Sequence, residues 1–333
     1  MKIIMYSVRS EEQPFIDIYA AAHPDLQIET HAEVLTQENI EWAKGSDAVC
    51  ILPRGPVTRD MFARLHAFGI HIFATRSVGY ETFDLVAARE FGITITNVPS
   101  YSPSAIAEFA VALTLDLFRN TRSLYRRVEQ QNFVWQGLMG REINGQTVGI
   151  VGTGHIGAVA AKAFAGFGAQ VIAYDKYPKA ELSESGLLTY VDSLDELFAA
   201  ADIISFHCPL TPENTGCVND DSIKLMKDGV HIINTARGKL IDSKALLAGL
   251  RSGKVAGAAL DVYDNEAPYY GQDWNGKEIE DETLNAFLAM DNVLITPHVA
   301  FYTHVAIQNM VDIALNSVLE VAQTGTSRNI VQG

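Results

Sequence analysis

Between residues 147 and 175 the chain runs strand, glycine turn, helix, strand, acid, an order that leaves few folds open to it. Thr147-Val148-Gly149-Ile150-Val151 is a short apolar run, Gly152-Thr153-Gly154-His155-Ile156-Gly157 follows, and an alanine-rich stretch from Ala158 to Phe167 has helical composition. The next apolar run, Gln170-Val171-Ile172-Ala173-Tyr174, ends in Asp175. The three glycines have separate tasks at this spacing. Gly152 permits a tight turn, Gly154 lets backbone approach a pyrophosphate, and Gly157 lets helix and strand pack closely. The helix N-terminus offers unpaired N–H groups and a positive dipole end to phosphates. A bare GxGxxG is weak evidence. Here the flanking elements are right, and Asp175 lies 23 positions beyond Gly152, near the about 20 of dinucleotide folds. A carboxylate there accepts hydrogen bonds from an adenosine ribose and repels a 2′-phosphate. Lys176 and Lys179 follow and leave NADPH open, but no arginine replaces the acid. The expected cofactor is NAD.

The turn comes late. About 150 residues precede it, with strand-like runs at 2–6, 47–52, 70–74 and 93–98 and helix-like stretches at 10–22, 36–44, 58–68 and 82–91. Short apolar runs alternating with helices imply parallel sheets in α/β layers. A chain of 333 residues has room for two full cores. The expectation is two doubly wound parallel-sheet domains, a flavodoxin-like catalytic one and a Rossmann one. Tyr101-Ser102-Pro103-Ser104 reads as a hinge and helix start, with Pro103 ending a strand and serine capping a helix from Ala105 to Asn120. A periodic helix at about 303–323 follows Pro297-His298. If it returns to the first domain, two crossings enclose a cleft. The expected division is 1–103 with 299–333 for substrate binding and 104–298 for NAD.

Charge and cysteines bound the surroundings. A net charge of −15 argues against nucleic acid or an anionic membrane as partner. An anionic small substrate then needs a local cation. Cys50, Cys208 and Cys217 form no CxxC pair and read as thiols of a reducing cytosol. The start, Met1-Lys2-Ile3-Ile4-Met5-Tyr6, reads as a strand rather than a signal peptide. No run approaches the roughly 18 apolar residues of a membrane span. No HExxH or clustered ligand spacing suggests a metal. The expected localisation is cytoplasmic.

Three further strands end in polar groups: Val230 to Gly238 carries Arg237, Gly257 to Tyr263 carries Asp261 with Asp264 and Glu266 beyond, and Asn292 to His298 ends in the histidine. Ligands of open parallel sheets bind beyond the strands' carboxyl ends, the edge that carries the glycine turn. Arginine presents a fork that pairs bidentately with a carboxylate. Histidine titrates near neutrality, and a neighbouring carboxylate stabilises its imidazolium. Alone, each residue is more often a surface ion pair, a structural histidine or a solvated acid. Together they suit a nicotinamide enzyme acting on an anionic carbonyl compound.

At this point the chain resembles the D-isomer-specific 2-hydroxyacid dehydrogenases, and within them the bacterial branch acting on D-lactate and D-2-hydroxyisocaproate. The resemblance rests on Arg76-Ser77-Val78-Gly79, Asn97-Val98-Pro99-Ser100-Tyr101-Ser102-Pro103, the turn at 152–157, Asn234-Thr235-Ala236-Arg237-Gly238, Leu260-Asp261-Val262-Tyr263 and Thr296-Pro297-His298, all in family order. It implies that Arg237 binds the substrate carboxylate, that His298 is the general acid in 2-oxo acid reduction and the base in oxidation, and that Glu266 keeps His298 protonated. It implies backbone N–H groups around Val78 and Gly79 at the carboxylate and Leu52, Tyr101 and Phe301 in the substrate pocket. His155, Ile156, Asp175, Cys208, Pro209, Asn214, Thr235, Ala236, Arg237 and Asp261 fall where the family contacts NAD. Asp261 is equally open to a structural role or to tuning the catalytic pair. A homodimer through the NAD-binding domain, or a higher oligomer, is implied too.

Departures count as well. Pyruvate is the first expectation, but Cys50-Ile51-Leu52-Pro53-Arg54-Gly55-Pro56 replaces the aromatic or glutamine-containing stretch of lactate-acting members where the substrate side chain should lie, which opens the alternative of a broader D-2-hydroxyisocaproate or phenyllactate type. Arg54 reads as solvated, against a second anion site for a phosphorylated or dicarboxylate substrate. The formate-oxidising branch carries glutamine where Glu266 stands. A corepressor-like NAD-sensing protein is the rival of another class, weakened by the presence of Arg237, Glu266 and His298 together.

Overall fold

The computed structural model describes residues 1–331. The chain divides into two compact units, Met1–Ser102 with the segment that begins at Tyr302, and Pro103–Phe301.

The first unit holds a parallel sheet of β1 (Lys2–Tyr6), β2 (Gln27–Thr30), β3 (Ala48–Ile51), β4 (Ile72–Thr75) and β5 (Thr94–Thr96) in the order β2-β1-β3-β4-β5. That is the flavodoxin-like order 2-1-3-4-5. β3 is buried along its whole length, as expected of a strand covered on both faces. β2 escapes the sequence reading because Gln27–Thr30 has no apolar run and no fully buried residue. The helix-like stretch at 36–44 is only a 3-10 turn, Ile40–Ala43. The returning helix, His304–Thr324, is capped by the Thr303 side chain, which accepts from the Ala306 N–H. By length and composition it could cross a membrane, contrary to the sequence expectation, but half of its most apolar window is buried. Val311, Ala314, Leu315 and Val318 join the core cluster that holds Ile3, Met5, Ala48 and Ala74. It is a core helix.

The second unit carries β6 (Thr147–Val151), β7 (Gln170–Tyr174), β8 (Thr189–Tyr190), β9 (Ile203–Phe206), β10 (Val230–Asn234), β11 (Val255–Leu260) and β12 (Val293–Ile295) in the order β12-β11-β10-β9-β6-β7-β8. All pairings are parallel. Counted from β6 the order is the Rossmann 3-2-1-4-5-6 extended by one strand. The first helix starts at Pro103, not Ala105. Proline at the first helical position gives up only an N–H that has no partner there anyway. A further helix, Thr121–Glu129, buries none of its residues and was invisible as an apolar stripe.

Candidate active site

Because the seven strands of the second unit are parallel, their carboxyl ends share one edge. That edge collects the glycine turn after β6, Asp175 after β7, Cys208 and Pro209 after β9, Thr235 to Arg237 after β10, Asp261 after β11 and His298 after β12. Gly152 has φ +92°, and a Cβ there would stand 2.9 Å from the Cys208 backbone. A Cβ on Gly157 would stand 1.9 Å from the Gly152 carbonyl oxygen, so the helix can approach the turn only without one. Gly154 has nothing within 4 Å of its Cβ position. The helix it opens, His155–Gly166, has no capping side chain and no acid in its first turn. Asp175 does more than face outward. Its Oδ2 accepts from the Thr153 N–H (2.5 Å) and hydroxyl (2.9 Å), and its Oδ1 from the Tyr177 N–H at 2.8 Å.

At the other end of the edge, His298 Nδ1 lies 2.8 Å from Glu266 Oε1, while Glu266 Oε2 accepts from the Tyr263 N–H at 2.9 Å. The carboxylate is thereby aimed, and the Nε2 of His298 has no partner among the described residues. Burial of the ring disfavours its charged form. The hydrogen bond and charge of Glu266, with the charge of Asp261, outweigh that and the opposing charge of Arg237, and raise the His298 pKa above the ordinary histidine value. His298 has φ +57°, rare for a side-chain-bearing residue and costly by about 1–3 kcal/mol.

Residues 111–300 match the model of the D-isomer specific 2-hydroxyacid dehydrogenase NAD binding domain. A D-lactate dehydrogenase of Lactiplantibacillus plantarum is 43% identical, over 98% of this chain and 97% of its own length. The chain belongs to the D-isomer-specific 2-hydroxyacid dehydrogenases. Among solved structures, a D-2-hydroxyisocaproate dehydrogenase aligns over 100% of both chains with TM-score 0.92 and 39% identity. The NAD complexed form of the Lactobacillus delbrueckii ssp. bulgaricus D-isomer specific 2-hydroxyacid dehydrogenase gives TM-score 0.87 at 37% identity, over 100% of both chains. This is an NAD-dependent dehydrogenase of Rossmann and flavodoxin-like units.

The residues of the dehydrogenase fit NAD. Space over Gly154, uncapped N–H groups at His155 and Ile156, and remaining acceptor capacity on Asp175 suit a pyrophosphate and a ribose. The Thr235 hydroxyl is buried without a partner among the described residues, as a group awaiting a ligand would be. Asn214 is engaged in its own loop. Its amide donates to the Pro209 carbonyl at 2.8 Å, and its carbonyl accepts from the Thr211 N–H at 2.7 Å. Burial pushes the Cys208 thiol up to about 12, with the nearby Cys217 adding to it, and Cys217 up to about 11. Both stay protonated thiols at neutral pH.

Asp261 emerges as the organiser of the loop that carries His298. It is fully buried, and its Oδ1 accepts from the Thr296 hydroxyl (2.6 Å) and the Val299 N–H (2.9 Å). Its Oδ2 accepts from the Ala300 N–H at 2.9 Å, and its backbone carbonyl from the His298 N–H at 2.8 Å. Two residues escaped the sequence reading as site builders. The Asn234 side chain donates to the Arg237 carbonyl (2.9 Å) and accepts from the Ala236 N–H (3.0 Å). Gly238 lies so close to β11's continuation that a Cβ would stand 2.2 Å from the Tyr263 carbonyl carbon. The signal was the glycine directly after Arg237. The Arg237 guanidinium donates to the Ala236 carbonyl at 2.9 Å.

Leu52, Val78, Gly79 and Tyr101 belong to the first unit, whereas Phe301 closes the second. Within the first unit Leu52 follows β3, Val78 and Gly79 follow β4, and Tyr101 follows β5. Its sheet is parallel as well, so these positions share its carboxyl edge. The Tyr101 carbonyl accepts from the Asn309 amide at 2.6 Å, and Val78 is 36% exposed.

Proposed function

We propose that this dehydrogenase reduces a short 2-oxo acid, pyruvate first, to the D-2-hydroxy acid, and that the reaction runs in both directions. The observation that carries this reading is the His298–Glu266 pair, which commits Nδ1 and leaves Nε2 for the substrate. Bound NADH supplies the hydride that reduces C2. His298, held protonated by Glu266, gives its Nε2 proton to the carbonyl oxygen and retrieves it in the oxidation of a hydroxy acid. Arg237 pairs with the substrate carboxylate through its planar fork. Backbone N–H groups of Val78 and Gly79 are further donors to that carboxylate, and Leu52, Tyr101 and Phe301 contact the substrate. Gly152, Gly154, His155, Ile156, Gly157 and Asp175 hold NAD, with Cys208, Pro209, Asn214, Thr235, Ala236 and Asp261 along the same edge.

Leu52 supports a second reading, a broader D-2-hydroxyisocaproate or phenyllactate type. It is aliphatic and follows the fully buried strand β3, so nothing aromatic restricts substrate size at that position. Steady-state kinetics with NADH and pyruvate, 2-oxoisocaproate, phenylpyruvate, oxaloacetate or 3-phosphohydroxypyruvate tests both. Highest kcat/KM with pyruvate supports the first, and with 2-oxoisocaproate or phenylpyruvate the second. Binding of NADH without turnover of any 2-oxo acid refutes both.

The assembly we propose is a homodimer of cytoplasmic protein, formed through the NAD-binding unit. In that unit Tyr125 (71%), Phe133 (72%), Trp135 (72%) and Met139 (93%) are exposed within one short stretch of chain. So much apolar surface marks an interaction site. Sedimentation of a Trp135→Asp variant as monomer supports this reading, and an unchanged oligomer counts against it.

A further inference from the structure

Arg76 is the largest fully buried side chain among the described residues, and its partner Glu12 is equally buried, at 0% exposure each. Arg76 Nε donates to Glu12 Oε1 at 2.9 Å and Nη2 to Glu12 Oε2 at 3.4 Å. Nη2 also donates to the carbonyls of Tyr6 (3.1 Å) and Ser7 (3.0 Å), and Nη1 to the Cys50 carbonyl (3.3 Å). The guanidinium thus gathers the carboxyl ends of β1 and β3 around the end of β4. Glu12 in turn accepts from the Arg9 N–H at 2.9 Å and Nε at 3.3 Å. Burial by itself would raise the Glu12 carboxyl, and the charge of Arg76 reverses this and holds it below the ordinary value.

Such a pair is a poor device for stability alone. Well-packed apolar residues commonly do as well or better, whereas loss of one partner leaves a buried charge exposed to no solvent. Its position says more. Arg76 immediately precedes Ser77-Val78-Gly79, a loop whose three carbonyls all accept hydrogen bonds. The Ser77 hydroxyl donates to the Gly79 carbonyl at 2.7 Å and contacts the Thr75 hydroxyl at 2.8 Å. The Ser77 carbonyl accepts from the Val98 N–H at 3.0 Å, and that of Val78 from the Asn97 amide at 2.8 Å. Among the described residues no acceptor takes the N–H of Val78 or Gly79. The carbonyls are tied inward and the two donors are left over.

We propose that Arg76 and Glu12 are positioning residues that fix the Ser77–Gly79 backbone so that its two free N–H groups meet the substrate carboxylate. They act through the loop and set the affinity for 2-oxo acids. The inference rests on the proposed reading of this loop as a carboxylate site.

The test compares wild type with Arg76→Lys, Glu12→Gln and the volume-conserving double variant Arg76→Met/Glu12→Leu. Pyruvate and NADH kinetics, inhibition by oxamate and hydrogen exchange at Ser77–Gly79 are measured on each. The KM for pyruvate and the inhibition constant of oxamate are expected to rise roughly tenfold in the single variants, the value of about one hydrogen bond to a charged group. NADH affinity and kcat at saturation should change little, and exchange at Val78 and Gly79 should quicken. The double variant removes both buried charges and so avoids the unpaired buried charge that makes loss of one partner destabilising. It should keep the raised KM and the faster exchange. A folded double variant with wild-type KM and wild-type exchange overturns the inference. A wild-type protein that reduces no 2-oxo acid overturns the proposed function instead. Exchange at Val78 and Gly79, which needs no turnover, then still decides whether the pair orders the loop.

Discussion

Replacing Asp261 by asparagine separates a loop clamp from a cofactor contact at this residue. Its carboxylate receives three donors, Thr296 at 2.6 Å and Val299 and Ala300 at 2.9 Å each. An asparagine oxygen facing Thr296 and Val299 leaves its NH2 facing the Ala300 N–H, donor against donor. The best orientation therefore loses one charge-assisted bond, about 1.5–3 kcal/mol, and strands a buried amide at about 1–3 kcal/mol. The sum is about 2.5–6 kcal/mol, or a fall in Tm of roughly 5–24 °C for a unit of this size. The loop so released carries His298 in a left-handed conformation, φ +57°, which only an over-determined setting maintains. A misplacement of about 1 Å costs roughly a hundredfold in rate. The assays are thermal unfolding, NADH binding by fluorescence, and kcat with pyruvate at saturating NADH. The expectation is a lowered Tm and a kcat down about a hundredfold, with NADH affinity nearly kept. Weakened NADH binding with kcat and Tm unchanged would make Asp261 a cofactor contact and refute the clamp.

Glu266→Gln removes the charge that raises the His298 pKa. In the proposed reaction reduction needs protonated His298, is full below its folded pKa and is lost as pH rises through it, so the alkaline limb of the pH–kcat/KM profile should move to lower pH; a limb that stays in place refutes the pairing. Arg237→Lys keeps a positive charge but loses the fork, so pyruvate KM should rise at least tenfold, about 1.4 kcal/mol, with NADH KM steady; equal losses for both ligands would contradict its role. Gly157→Ala places a methyl 1.9 Å from the Gly152 carbonyl oxygen. Overpacking of this kind costs about 1–3 kcal/mol or more, and NADH binding measured by fluorescence should weaken together with Tm.

Periodicity and spacing carried the reading far because this fold writes itself locally. Parallel strands buried on both faces appear as mostly apolar runs, and β6 and β10 are buried along nearly their whole length. The glycines of the turn answer to contacts within a few residues, so the cofactor was legible, and strand-end arginine, acid and histidine were legible from the edge rule. Elements without an apolar pattern were not: β2 lies at an edge, the Ile40–Ala43 turn is short, and Thr121–Glu129 buries nothing.

Other assignments depended on residues far apart in sequence. Asp261 reads the same on the page whether it touches a ribose, tunes a histidine or clamps a loop, and its partners lie 35 and more positions away. Arg76 reads as an ordinary polar residue after a strand until its partner 64 positions earlier is found hydrogen-bonded to it, both side chains fully buried. The sequence by itself determined the layer architecture, the NAD turn and the polar groups at the strand ends, because backbone sterics and residue chemistry act over short spans. Only the tertiary structure decided which carboxylate each cation and each loop would meet, because burial and distance govern that pairing and neither is a property of neighbours in the chain.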